Sequence, residues 1–214
     1  MRDESGAEIH PTGVNSVAVI PNKHKAVSAG VDWTLKVWDL EASTVLRTLV
    51  GHKDEITAVA VTPDGRSCIS GSRDRTLKVW DLEHESEPYD LGNHNGWINA
   101  VAVTPDGQRI ISASDDATVK VWDFQNRIQL LDLEVHRAQV TDIAVFGGGQ
   151  FAISVSRDCS LKLWDLRSGT VLTSFIGDSE LLSCAVAPDG VTIVAGEISG
   201  RLHFLRLENL RQKL

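Results

Sequence analysis

The dipeptide Trp-Asp occurs at Trp38-Asp39, Trp80-Asp81, Trp122-Asp123 and Trp164-Asp165, each copy 42 residues after the one before. A fixed period of this length marks one supersecondary unit used repeatedly, because such a unit cannot bury its apolar surface alone and must stack on neighbours. The surrounding text repeats too: VTPDGRSCISGSRDRTLKVWD (61–81) is followed by VTPDGQRIISASDDATVKVWD (103–123). A fifth unit, after a 41-residue step, ends in LHFLRLE (202–208) and carries Leu205-Arg206 in place of Trp-Asp. No linker or low-complexity stretch separates the units.

Each unit parses into short strands. In the second, ITAVAVT (56–62) is β-branched and apolar, PDG (63–65) is a turn, SCISGS (67–72) is a second strand, RDR (73–75) turns again, and TLKVWDL (76–82) is a third strand. The fourth strand varies most: TVLRTLV (44–50), PYDLG (88–92), RIQLLDLEV (127–135) and TVLTSFI (170–176). Apolar residues on both sides of the pleat require each small sheet to be covered on two faces, and only neighbouring sheets can do it. One position of the first strand is alanine in all five units, Ala18, Ala60, Ala102, Ala144 and Ala185. Small side chains suit an innermost strand where sheets converge on an axis. The pattern predicts an all-β fold, a β-propeller of five four-stranded blades of about 42 residues. The blades fall at about 10–50, 51–92, 93–134, 135–176 and 177–208, within one domain over 1–214.

Charge and composition narrow the partners. The net charge is −8 and the 21 Lys and Arg residues are scattered, which argues against a nucleic-acid partner, since phosphate binding needs a clustered basic surface. The first residues, MRDESGAEIHPTG, lack the basic and apolar regions of a signal peptide, and no apolar run approaches the roughly 18 residues of a membrane span. A cytoplasmic location is expected. Cys68 stands where sister units carry Ala or Ile and Cys184 where they carry Val or Ile, Cys159 falls in a turn, and no two are spaced as metal ligands. No metal and no cofactor is expected.

The spacing of His, Ser, Asp and Trp-Asp resembles that of the WD-repeat β-propeller family, above all bacterial arrays with VAVTPDG and ISASDDATVKVWDLE phrasing. The resemblance implies a hydrogen-bonded tetrad in each unit. These are His10, Ser28, Asp32 and Trp38; His52, Ser70, Asp74 and Trp80; His94, Ser112, Asp116 and Trp122; and His136, Ser154, Asp158 and Trp164. In the fifth unit Gly177, Ala195, Ser199 and Leu205 occupy those places, so no tetrad is expected there. A buried imidazole must satisfy both nitrogens, and a carboxylate on one side with a hydroxyl between the other nitrogen and an indole N–H does so.

Ser, His and Asp together also suggest a hydrolase triad. Catalysis needs such a set once, in a cleft, whereas four equivalent copies describe structural staples. Paired carboxylates in a central tunnel are the other enzymatic option. The innermost strands supply Ser16, Ala58, Ala100, Asp142 and Ser183 at one ring position, a single carboxylate. The chain is therefore expected not to be an enzyme, with a tunnel hydrolase or sugar-binding propeller as the alternative.

Function in a repeat scaffold sits at positions that vary while the frame stays fixed. At the loop entering the innermost strand these are Glu55, Trp97 and Gln139, with Asn15, Thr57, Asn99 and Thr141 two residues on; Val31, Arg73, Asp115 and Arg157 precede the turn Asp, and Trp33 and Arg75 follow it. The resemblance implies that this face binds protein, and Trp97, Arg73, Arg157, Trp33, Asp115, Glu55, Gln139 and Asn99 are the candidate rim. It further implies a non-catalytic docking or sensor module, the C-terminal part of a larger bacterial signalling protein, since the chain has no phosphate loop of its own. Such rings are expected to close when SGAEIH (5–10) adds a fourth strand to the last blade, with 1–9 as the closing strand. If five units leave an arc open instead, two apolar sheet faces are exposed and self-association follows.

Overall fold

A computed structural model of the protein describes residues 9–134 and 136–208. The first sheet is β1 (Val14–Ile20), β2 (Lys25–Gly30), β3 (Thr34–Asp39) and β4 (Thr44–Val50). The second is β5 (Ile56–Val61), β6 (Ser67–Ser72), β7 (Thr76–Asp81) and β8 (Tyr89–Asn93). The third is β9 (Ile98–Val103), β10 (Arg109–Ser114), β11 (Thr118–Asp123) and β12 (Ile128–Glu134). The fourth is β13 (Val140–Phe146), β14 (Phe151–Ser156), β15 (Ser160–Asp165) and β16 (Thr170–Ile176). The last is β17 (Leu181–Val186), β18 (Thr192–Glu197) and β19 (Leu202–Arg206). Every sheet is an antiparallel meander, its strands paired in chain order.

The fifth sheet has three strands, not the expected four. In the other sheets the fourth strand follows the third in sequence, but only Leu207 and Glu208 are described beyond β19. Of the expected closing strand, residues 1–8 lie outside the described residues, and Ile9 and His10 are not in a strand.

Local chemistry explains the turns. In the three PDG turns, Asp64 Oδ1 accepts the Arg66 N–H, Asp106 Oδ1 the Gln108 N–H and Asp189 Oδ1 the Val191 N–H. Gly65 and Gly107 follow at φ +68 and +71, a region in which an added Cβ is strained. The Asp of each Trp-Asp pair closes the next hairpin: Asp39 Oδ1 accepts the N–H groups of Glu41 and Ala42, Asp81 those of Glu83 and His84, Asp123 that of Asn126, and Asp165 those of Arg167 and Ser168.

The cores lie between sheets, and all four are built alike. An aliphatic face carrying Leu35 and Val37 packs on Ile56, Val59 and Trp80 of the next sheet. Leu77 and Val79 meet Ile98, Ile110 and Trp122, and Val119 and Val121 meet Val140, Ile143 and Trp164. Leu161 and Leu163 meet Leu181 and Ile193. Each fully buried side chain of this kind contributes about 1.5–3 kcal/mol, so the stacking of sheets carries the fold. The innermost strands pack in succession, β1 on β5, β5 on β9, β9 on β13 and β13 on β17. Among the described residues no comparable packing joins β17 to β1.

The innermost strands also carry a shared irregularity. Each has a bulge after its first residue, which leaves Asn15, Thr57, Asn99, Thr141 and Leu182 outside the ladder. A bulge re-aims the side chain of its extra residue.

Candidate functional site

The four His-Ser-Asp-Trp sets assemble with one geometry. The Trp Nε1–H donates to the Ser Oγ at 2.7–2.9 Å. The same Oγ lies 2.7–2.8 Å from the His Nε2, and the His Nδ1 lies 2.8–3.0 Å from the nearer Asp oxygen. This fits a neutral imidazole that donates from Nδ1 to the carboxylate and accepts the Ser hydroxyl at Nε2. The second carboxylate oxygen serves the turn: Asp74 Oδ1 accepts from the Thr76 hydroxyl at 2.7 Å, as Asp116 does from Thr118 and Asp158 from Ser160.

Burial alone would raise the Asp74 carboxyl. The hydrogen bonds from His52, the Lys53 amide and Thr76 outweigh it and hold the group far below the usual carboxylate range. Asp116 is held likewise by His94 and Thr118. Asp158 falls to about 2, where Ser160 and the Arg137 amide override burial. Burial pushes the His136 imidazole below its ordinary value despite Asp158 beside it. No tetrad member touches the rim cavity described next.

At one end of the innermost strands lies a concavity of about 450 Å³ lined by Thr57, Arg73, Trp97, Asn99, Asp115, Gln139, Thr141, Arg157 and Leu182. Six of the eight candidate rim residues line it: Trp97, Arg73, Arg157, Asp115, Gln139 and Asn99. Trp97 is 44 % exposed, and the Arg73 guanidinium lies over its ring at 4.6 Å. Arg73 is held in place by Glu55 at 2.8 Å, so Glu55 acts behind the rim. Arg157 pairs with Glu180 of the last sheet at 2.8 Å. Asp115 accepts from the Asn99 amide at 2.7 Å. Trp33 stands apart, half exposed on the first sheet at φ +66, the same left-handed turn conformation as Arg75, Ala117 and Cys159.

Four of the variable positions at this end also bind the next sheet. Asn15 donates to the Ile56 carbonyl, Thr57 to that of Ile98, Asn99 to that of Val140 and Thr141 to that of Leu181. Asp142 is a clamp of the same kind, accepting the Cys184 N–H at 2.8 Å and the Ser183 hydroxyl at 3.1 Å. Burial raises its carboxyl against those bonds.

The fifth unit carries a polar centre that the tetrad spacing does not announce. The Glu197 side chain is fully buried and accepts from the amides of Asp178 and Ser179, the hydroxyls of Ser179 and Ser199, and His203 Nε2 at 2.8 Å. The Ser199 and His203 bonds hold it down at about 2. Glu197 stands where earlier units have Ser72, Ser114 and Ser156, and His203 where they have Lys78, Lys120 and Lys162. Two polar replacements at once on adjacent strands were the available sequence signal.

Among the described residues no His, Cys, Asp or Glu group is arranged to hold a metal ion, and no helix is long and apolar enough to cross a membrane.

Stapled four-stranded sheets stacked through their faces, with a varied rim at one end, define an all-β repeat scaffold. The WD domain, G-beta repeat family (WD40) matches at residues 7–39, 43–81, 86–123 and 127–165, and the chain belongs to that family. Its repeats serve in general as protein-interaction scaffolds and are typically non-catalytic. No curated protein matches the chain.

Proposed function

We propose that this chain is a non-catalytic interaction module that binds a partner protein in the concavity around Trp97. The observation that carries this reading is Trp97 itself, a large aromatic left 44 % exposed while Arg73, backed by Glu55, fixes its ring. A pre-positioned Trp beside two arginines at a cavity is the arrangement that anchors interfaces, because little side-chain entropy is lost on binding. The lining contains one carboxylate, Asp115, already bonded to Asn99, which supports binding over the hydrolase alternative that needs a carboxylate pair. Within this reading the tetrads are structural, the domain spans 1–214, and the module serves as a docking or sensor part of a larger bacterial signalling protein in the cytoplasm.

Capture of partners from the native source compares the wild type with Trp97→Ala and with Gln125→Ala, which lies in the concavity at the PDG-turn face. A partner lost with Trp97→Ala and retained with Gln125→Ala supports the assignment. The reverse pattern moves the binding site to the other face.

A further inference from the structure

The two ends of the sheet stack expose the two halves of one interface. In the first sheet Val14, Val17 and Val19 are 52 %, 69 % and 68 % exposed, although the matching Ile56 and Val59 of the second sheet are 0 % and 7 % exposed against their neighbour. Leu40 is half exposed on the same face. At the other end Leu202 and Phe204 are 58 % and 73 % exposed, whereas Leu161 and Leu163 at the same places in the fourth sheet are 3 % and 1 %. Among the described residues, nothing covers the Val17–Val19 face of the first sheet as an aliphatic face covers every later Trp-type face, and nothing covers the Leu202–Phe204 face as every earlier aliphatic face is covered. Each chain carries one of each, and among the described residues no packing comparable to that of the other innermost strands joins β17 to β1.

We propose that a second copy of this chain occupies these ends head to tail, the Leu202–Phe204 face of one copy packing on the Val17–Val19 face of the next. Four internal interfaces already join these two kinds of face, so the joint between copies extends a contact the chain is built to make. One polar link, that of the first interface, has its counterpart in the last sheet. Ser16 Oγ accepts the Val59 N–H of the next sheet at 3.3 Å, and Ser183 holds that position in the last sheet, its hydroxyl donating to Asp142 at 3.1 Å and its oxygen keeping the capacity to accept a second copy's Val17 N–H. The other link is absent, because Leu182 replaces the Asn or Thr that clamps each earlier sheet to its successor. The joint is therefore weaker than an internal interface and forms reversibly with concentration. Because the two faces differ, the contact is heterologous: it leaves an end free at each step and generates rings or open chains. It is independent of the Trp97 reading, since none of Val14, Val17, Val19, Leu202 and Phe204 lines that concavity.

Analytical ultracentrifugation of the full chain tests this with two single variants, Val17→Asp and Phe204→Asp. The wild type should associate beyond a dimer as concentration rises, each variant alone should sediment as a monomer, and an equimolar mixture should form a capped dimer of one copy of each. Circular dichroism and one cooperative unfolding transition establish that the variants are folded; if Phe204→Asp is not, Leu202→Asp on the same face replaces it. A wild type that stays monomeric at high micromolar concentration overturns the proposal. So does a mixture that remains monomeric, since only two different complementary faces allow the variants to rescue each other.

Discussion

The Asn99 side-chain amide donates to the main-chain carbonyl of Val140, 41 residues further along the chain and in the next sheet, at 2.9 Å. The bond exists because a bulge takes Asn99 out of its own ladder and turns it toward the neighbour. Asn15, Thr57 and Thr141 repeat the device, so the sheets are joined by hydrogen bonds at their inner edge as well as by apolar contact.

Thr57→Val tests the clamp without changing shape. The valine keeps the volume but removes the donor shared between the Gly71 and Ile98 carbonyls. Leaving such acceptors short of a partner should cost about 1–3 kcal/mol, seen as a lower urea midpoint at constant slope. A midpoint equal to the wild type would mean that apolar packing alone sets the joint.

Asp74→Ala tests the staples. It takes the acceptor from His52 Nδ1, the Lys53 amide and the Thr76 hydroxyl together. A loss of about 1–3 kcal/mol is expected, and Asp116→Ala should match it because the third sheet repeats the geometry. Thermal or denaturant unfolding of both variants provides the check; two unchanged midpoints would remove the structural role.

Acid should destabilise the fold in two stages. Asp74, Asp116 and Asp158 all have folded values below the unfolded one, so the unfolded chain binds more protons. Their contribution is complete above about pH 4 and is lost as pH falls toward the folded value, about 2 for Asp158. His136, also lowered, adds a shallower loss below about pH 6.5. Asp142 has the opposite sign: its raised value makes it a cost that acidification relieves. Urea midpoints between pH 7 and 3 should fall, and Asp158→Asn should flatten the acid limb. An unchanged limb in that variant would assign the loss elsewhere.

The tetrads were legible because their members recur at one spacing and in four units, so repetition itself separates them from surrounding residues. The strands were legible for the same reason: β6 and β16 run over the residues read as strands. The clamps were not. Asn15, Thr57, Asn99 and Thr141 differ in type and stand at the start of the innermost strand, where alternation alone cannot reveal that a bulge has redirected them. They therefore looked like variable surface. Asp142 was read as a hydrogen-bonder of the ring, and its acceptor role toward Cys184 needs the neighbouring sheet in place to be seen.

Glu197 shows how a unit without a tetrad keeps its turn together, and it yields the last prediction. Its carboxylate gathers donors from the entry loop, from the turn after β18 and from β19, segments that the full His-Ser-Asp-Trp set ties together elsewhere. In Glu197→Ala the amides of Asp178 and Ser179 and the ring of His203 lose one shared acceptor. Glu197→Gln preserves a carbonyl for the amides and His203, while the hydroxyls of Ser179 and Ser199 can rotate to accept from the new NH₂ group. Hydrogen exchange should therefore accelerate across β17, β18 and β19 in the alanine variant and much less in the glutamine variant, with β9, β10 and β11 unaffected in both. Equal acceleration in the two variants would show that the charge, rather than the acceptor geometry, holds the last sheet. Acceleration that spreads through all five sheets would show that the last sheet does not open as a separate unit.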